Sequence, residues 1–332
     1  MSVLLLSMGG LLTACGSSGG ANSITLYNGQ HEETTAALVS AFEKATGINV
    51  EVHSGDEDAL AEQIATAGSH SPADVIFTEN TQALEFLQEK GLLAQVDAAT
   101  LAHVPTKYDS PTGNWVGVSG RVSVLIYNPS LISESQLPTH VLQLADSKYA
   151  GKLAIAPGES DFQPVVTSVE RAYGEAATIK WLEGIKANAG NHSYPDNETI
   201  ADEVNRGEVA FGIVNQYYWY RLRAEVGVAN LHSQIIHFAP RDPGYVVDVS
   251  GAAVLAASRH KTDAQKFLAF VTSKAGQEII GHSTSFEYPI DSGVTTSQPE
   301  TPFNELQPYP ITLAELGDGT AAVDLMQKVG LL

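Results

Sequence analysis

The chain has 332 residues, 43% of them hydrophobic and 17% charged, the balance of a globular protein with a substantial core and length for about two domains. Its formal net charge of −20, from 38 acidic against 18 basic residues, excludes the basic stripe that nucleic acid demands and suits either a bound cation or plain solubility. A single cysteine excludes a disulfide framework and any paired-cysteine zinc site.

The first apolar run, "VLLLSMGG", is too short to span a bilayer and is followed by "LLTAC", which ends at Cys15, and by the small, uncharged stretch "GSSGG". That order is similar to a bacterial lipoprotein signal, with a lipobox from Leu12 to Cys15; residues 1–22 then read as signal and tether, and Cys15 as the lipidation site. Several acyl chains on one cysteine would anchor the protein, where a single chain is marginal. A secretory signal followed by a free thiol is the plainer reading of the same residues. No Lys or Arg precedes the apolar run, so a basic n-region is expected upstream of the recorded start.

From Ser23 the pattern alternates. "SITLYNG" reads as a strand, and "EETTAALVSAFEKATG" spaces Leu38, Phe42 and Ala45 along one helical face before stopping at Gly47. "INVEV" is a second strand, "DALAEQIATAG" a second helix through Leu60 and Ile64, "DVIF" a buried strand, "QALEFLQEKG" a helix, and "NWVGVSGRVSVLIYN" a long extended run. A second unit follows: "GKLAIAPGESDF" as strand and turn, "GEAATIKWLEGIKANAG" and "NETIADEVNRG" as helices, and "EVAFGIV" as a strand that delivers "NQYYWY". After "RDPG" come a long strand, "YVVDVSGAAVLAAS", and one helix, "TDAQKFLAFVTSKAGQEIIG", with Phe267, Phe270 and Val271 inward. This rhythm predicts an α/β fold with mostly parallel sheets. The two long runs, near 115–128 and 245–257, predict two lobes joined by crossing strands, with the ligand in the cleft. The lobes are expected over 23–123 plus 248–298 and over 124–247 plus 299–332, each discontinuous.

Ligands of open α/β sheets lie beyond the carboxyl ends of the strands. Three polar clusters occupy such ends: "TLYNGQH" closes on His31, "DVIFTE" on Glu79, and "VAFGIVNQYY" on Tyr217 and Tyr218. The first two fall in one lobe and the third in the other, so lobe closure would gather an imidazole, a carboxylate and two phenols. A phenol titrates near pH 10 and becomes an anion at neutral pH only if something strongly electropositive replaces its proton. Ferric iron does so, being hard and suited to anionic oxygen. Asn215 reads as an N-cap that sets both tyrosines on the first turn of a helix, where the dipole favours negative oxygen. Two phenolates and a carboxylate balance three positive charges, neutral His31 adds a fourth ligand, and an octahedron retains room for an anion or water.

At this point the sequence resembles the bacterial ferric-ion-binding proteins that serve iron ABC importers. The residues that carry the resemblance are "YNGQH", "SPADVIFTE", "SGR", "GEAATIKWLEGIK", "GEVAFGIVNQYYW", "RDPG" and "SGAAVL", in family order across nearly all of 24–330. The resemblance implies a periplasmic-binding-protein-like fold and His31, Glu79, Tyr217 and Tyr218 as metal ligands. It also implies a monomer held outside the cytoplasmic membrane, on the extracellular side or in the periplasm according to envelope type, that hands Fe(III) to an ABC transporter permease. A small synergistic anion, phosphate or carbonate, often completes the shell in the family, and here the positions on that side are Asn80, Ser160, Asn197 and Asn215. The neighbouring loop reads "GESDF", so Glu159 and Asp161 place two carboxylates beside the anion pocket. Like charges disfavour phosphate there, and water, carbonate or Asp161 is expected to fill the gap.

Other readings stay open on these residues. Adjacent tyrosines beside a tryptophan also serve as packing, His31 as part of a helix start, and Glu79 as a cap for the helix near Thr81. Arg121 of "SGR" is expected to pair with an acid near the hinge. An importer lipoprotein for thiamine, a polyamine or a sugar acid would stack its solute on Tyr217 and Tyr218, and a surface metallohydrolase is a third class. Against an enzyme, the sequence holds no HExxH or Walker loop, and "SRHK" from Ser258 to Lys261 lacks the companion motifs of the SxxK enzymes.

Overall fold

The computed structural model describes residues 23–298 and 300–332, so Cys15 and the rest of 1–22 lie outside the described residues. In chain order, β1 (Ser23–Asn28), α1 (Glu32–Thr46), β2 (Asn49–Ser54), α2 (Glu57–Ala67), β3 (Val75–Thr78), α3 (Gln82–Glu89) and α4 (Ala98–Leu101) lead into β4 (Val116–Tyr127). Next come β5 (Leu153–Ala154), α5 (Gln163–Tyr173), α6 (Glu175–Ala189), α7 (Asn197–Arg206), β6 (Phe211–Asn215), α8 (Gln216–Val226) and β7 (Gln234–Ile236). The chain closes through β8 (Val247–Val254), α9 (Lys261–Val271), α10 (Lys274–Gly281), β9 (Tyr288–Pro289), α11 (Leu313–Leu316) and α12 (Thr320–Lys328). Among the described residues no helix is long and apolar enough to cross a membrane.

The strands run in the order β2-β1-β3-β8-β4-β6-β5, with β7 and β9 also paired to β4. Only part of this sheet is parallel. β1 lies parallel to β2 and β3, and β5 to β6, whereas β8 is antiparallel to both β3 and β4, and β4 to β6. The expectation of a mostly parallel sheet is therefore corrected to a mixed one. Strand–helix alternation yields parallel neighbours only where a helix returns the chain to the same side of its own sheet; β4 and β8 instead carry the chain from one half of the molecule to the other.

β4 is the element on which both halves meet. All twelve of its residues are buried, and at about 3.3 Å per residue it spans roughly 40 Å. Val116 to Val122 pair with Ala252 to Val247 of β8, with an irregularity between Gly117 and Ser119, while Ser123 to Tyr127 pair with Asn215 to Phe211 of β6. The switch of partner falls between Val122 and Ser123. Ser123 marks it, donating to Gly244 O at 2.6 Å and accepting from Val246 N at 2.9 Å.

Most helices cover the sheet as their apolar spacing requires, with two departures. α1 buries Thr34, Thr35, Leu38, Val39 and Phe42, but Ala45 is exposed, because it lies in the last turn where the chain bends at left-handed Gly47. The single helix expected over 262–281 is two, α9 and α10. The Thr272 and Ser273 hydroxyls bond back to the Leu268 and Phe270 carbonyls, and Ser273 Oγ accepts from Gly276 N to start the second helix. Short hydroxyls that compete for backbone groups favour such a break. Phe267 and Val271 are buried, and Phe42 packs edge-on to both Phe267 and Phe270.

The segment after β9 returns to β4. Phe303 lies between Tyr108 and Tyr288, at ring distances of 5.1 and 5.2 Å, and directly over Gly120, where a Cβ would enter its ring. Gly120 is thus held by close approach. Gly120→Ala is expected to cost about 1–3 kcal/mol by overpacking, and the penalty should shrink in a Phe303→Leu background. Equal penalties in both backgrounds, in urea unfolding, would show that the ring does not set it.

Candidate metal centre

The loop after β1 is fixed by its own side chains. Asn28 Oδ1 accepts from the Thr35 hydroxyl at 2.8 Å, Asn28 Nδ2 donates to Gln30 O at 2.8 Å, and His31 N donates to Gln30 Oε1 at 2.7 Å. His31 sits at the N-cap of α1 and makes no side-chain cap, which leaves its imidazole free to face the centre of the molecule. Nδ1 meets Glu79 Oε1 at 2.9 Å, whereas Nε2 is buried with no hydrogen-bond partner. A buried, orphaned ring nitrogen is the kind of atom a ligand completes.

Glu79 follows β3, and the plainer reading as a helix cap does not describe it: Thr81 holds the N-cap position of α3. Its backbone is held instead by Glu57, whose Oε2 accepts from Glu79 N at 2.7 Å and Asn80 N at 3.0 Å. Burial tends to raise the Glu79 carboxyl, but His31 and then Arg121 outweigh it and bring it down to about 2. Burial lowers His31, and Glu79 more than reverses this, so the imidazole ends above its usual value.

Tyr217 and Tyr218 occupy the first turn of α8. Asn215 stands at the expected N-cap with extended backbone, but its side chain makes no cap hydrogen bond, so that part of the expectation is corrected. The turn is tied down by Gln216, whose Oε1 accepts from Val122 N of β4 at 2.9 Å and whose Nε2 donates to Phe286 O at 3.3 Å. The two phenol rings lie 4.2 Å apart, and both hydroxyls donate to one oxygen, Asp161 Oδ2, at 2.9 and 3.1 Å. Tyr217 also approaches Glu79 Oε2 at 3.4 Å, and its ring meets that of His31 edge-on at 5.1 Å. Four side chains from three strand ends therefore come together as the sequence predicts. Burial first, then Asp161 and Glu79, push both phenols well above their ordinary value. Without a cation they are protonated donors.

Among the four residues expected on the anion side, Asn80 is central. Its Nδ2 donates to Ser160 Oγ at 3.1 Å and Asp161 Oδ1 at 3.2 Å, and its Oδ1 accepts from Arg121 Nη1 at 3.1 Å. Asn197 Nδ2 reaches Asp161 Oδ2 at 3.4 Å, and Asn215 lines a small cavity with Asp161 and Asn197. Glu159 is unlike its neighbour Asp161: burial, then the Asp161 charge, push it up to about 8. At neutral pH it is largely uncharged and so adds little negative charge to the loop.

Sequence reasoning left Arg121 without a named partner and missed the group that holds it. Arg121, 1% exposed, is paired with Glu287, which also accepts from Gln30 Nε2 at 3.0 Å and the Ser119 hydroxyl at 2.7 Å. Arg121 Nη1 lies 3.8 Å from both Glu79 Oε2 and Asp161 Oδ1. Glu57 was missed as well. No signal separates either acid from the solvated acids around it, because burial alone distinguishes them. Elsewhere, the Ser258 hydroxyl of "SRHK" is turned onto Asp74 Oδ1 at 2.6 Å, and Lys261 Nζ bonds the Ser258 carbonyl. Among the described residues no group of three or more His, Cys, Asp or Glu side chains is arranged to hold a metal. Any cation here must use the phenols.

Comparison with known proteins agrees in one direction. The family model for the bacterial extracellular solute-binding protein matches residues 28–278. The chain is 37% identical to the Fe(3+)-binding periplasmic protein of Serratia marcescens, over 93% of this chain and 90% of that one. It is 36% identical to the major ferric iron-binding protein of Neisseria meningitidis serogroup B, over 93% of each. Among solved structures it is similar to iron-bound HitA from Pseudomonas aeruginosa, with a TM-score of 0.87 and 38% identity over 93% of this chain and 99% of that chain.

Removal of Glu287 leaves Arg121 buried beside acids that it only approaches. Glu287→Ala is expected to destabilise the protein by about 3–5 kcal/mol, the usual cost of breaking a buried ion pair from one side. A change under about 1 kcal/mol in urea unfolding would show that Glu79 and Asp161 hold the guanidinium by themselves.

Proposed function

We propose that this chain, which belongs to the family of bacterial extracellular solute-binding proteins, captures ferric iron outside the cytoplasmic membrane and delivers it to an ABC importer. The similar proteins are named for binding Fe(3+) or ferric iron, not for catalysis. One observation carries the reading: two buried phenols share one acceptor, Asp161 Oδ2, and one of them also reaches the Glu79 carboxylate, which pairs with His31. An organic solute needs a cavity with apolar walls; this cluster offers three anionic oxygens and one neutral nitrogen, which is what a hard trivalent ion takes.

In this function His31 gives Nε2, Glu79 a carboxylate oxygen, and Tyr217 and Tyr218 their phenolate oxygens, each phenolic proton passing to solvent as the metal arrives. Iron is the cargo, so binding has to be reversible. We assign 23–123 with 248–298 to one lobe and 124–247 with 299–332 to the other, joined by β4 and β8. Parting the lobes separates His31 and Glu79 from the tyrosines and opens the shell at the permease, where protonation or reduction assists release. Anchoring through Cys15 would keep a monomer beside that permease.

Titration of the chelator-stripped protein with ferric citrate is expected to develop a purple-red tyrosinate band. Tyr217→Phe and Tyr218→Phe should each weaken iron by at least about 100-fold, more than the loss of an outer-shell group. A colourless wild-type protein would leave an organic solute or a hydrolase as the reading, and turnover of an ester substrate would favour the hydrolase. Since both phenols are protonated before binding, each iron should release at least their two protons, and binding should strengthen as pH rises. A pH-stat titration corrected for the chelator that shows no release would exclude phenolate ligation.

A further inference from the structure

Asp161 lies nearer the Tyr217 hydroxyl, at 2.9 Å, than Glu79 does, at 3.4 Å. We propose that Asp161 is itself a ligand of the captured ion, a carboxylate built into the chain in the place of a free anion; this rests on the ferric reading above. Its two oxygens are held differently. Oδ1 accepts from Asn80 Nδ2 at 3.2 Å and faces Arg121 Nη1 at 3.8 Å, which orients the carboxylate. Oδ2 accepts from both phenols and lies 3.4 Å from Asn197 Nδ2. Replacing the two phenolic protons by one ion puts that ion between the phenolate oxygens and Oδ2.

Two of the amides expected to serve a free anion, Asn80 and Asn197, are already engaged with Asp161. Asn80 Nδ2 donates to Ser160 Oγ and Asp161, and Asn197 Nδ2 to Asp161. The cavity lined in part by Asp161, Asn197 and Asn215 measures about 10 Å³, room for about one water. Glu79 and Asp161, brought together by separate elements, share Arg121 Nη1 at 3.8 Å each, which offsets their mutual repulsion. On binding, both phenolic protons pass to solvent and the ion bonds Tyr217, Tyr218, Glu79 and Asp161 through oxygen and His31 through Nε2; Glu79, Asp161 and His31 are not gathered into a metal group by themselves, so they draw in around the ion seated between the phenols. Four anionic oxygens against three positive charges leave one net negative charge beside Arg121, and a sixth position for water.

The test supplies iron as ferrous chloride, oxidised under carbon-dioxide-free oxygen in buffer without phosphate or carboxylate chelators, and follows the tyrosinate band. Wild-type protein is expected to bind iron equally well with and without added phosphate or bicarbonate. Asp161→Ala and Asp161→Asn should weaken iron by more than about 100-fold in the anion-free buffer, and phosphate or bicarbonate should restore Asp161→Ala. Anion rescue is a gain that a misfolded variant cannot show, and circular dichroism checks the fold of both. Wild-type binding that rises tenfold or more with either anion, or Asp161→Asn binding that is unchanged, overturns the role of Asp161 and leaves the ferric reading standing. No band for wild type in any buffer sinks the ferric reading and this proposal with it.

Discussion

A guanidinium closed off from water has to be matched by acids within reach, and Arg121 of β4 is matched from several directions. Glu287 pairs with it, Glu79 and Asp161 approach it, and Asn80 accepts from it. These partners come from the segment after α10, from the end of β3 and from the turn before α5. Because Arg121 sits one residue before the point where β4 changes partner, the groups it gathers are held where the two halves of the sheet meet. The first turn of α8 is fastened to the next residue, Val122, through Gln216. The position of the phenols is in this way tied to the same short stretch of backbone as the acids that face them.

The cluster holds more acid than base. Glu79, Asp161 and Glu287 surround one arginine, with two phenols that burial keeps protonated. An arrangement of this kind is poorly satisfied by its own charges and strongly favours a cation, in the way that functional sites commonly set aside local stability. The remaining oxygen-bearing groups do not compete with it: Glu57 and Glu287 are occupied in holding backbone and arginine. In the proposed function selectivity follows from hardness and charge, since phenolate forms only against an ion acidic enough to displace its proton.

Much of this was readable before the fold was known. The strand ends bearing His31, Glu79 and the tyrosine pair were legible because apolar runs that turn abruptly polar mark where a strand leaves its sheet. Other features were not legible. Periodicity cannot tell whether a strand returns beside its neighbour or crosses to the other half, and so the central pairings of β4 and β8 came out antiparallel. It also ran α9 and α10 together, since the break at Thr272 and Ser273 depends on which carbonyls their hydroxyls reach. Asn215 was placed correctly as a cap position, but its side chain bonds nothing there, because the turn is held by Gln216 instead.

What the sequence by itself determined is a set of candidate donors and the strand ends that carry them: residue type sets the charge and hardness of an oxygen or nitrogen, and local apolar pattern sets where a strand stops. What only the tertiary structure decided is which of many acids is buried, and against whom. Asp161 and Glu159 are two residues apart in one loop, yet one receives both phenolic hydrogen bonds while the other is half-exposed and largely uncharged at neutral pH. Partners distant along the chain, such as Arg121 and Glu287 or Tyr217 and Glu79, meet only when both halves of the sheet close on β4. Distance and desolvation, which turn a carboxylate into a ligand or an anchor, are properties of that packing.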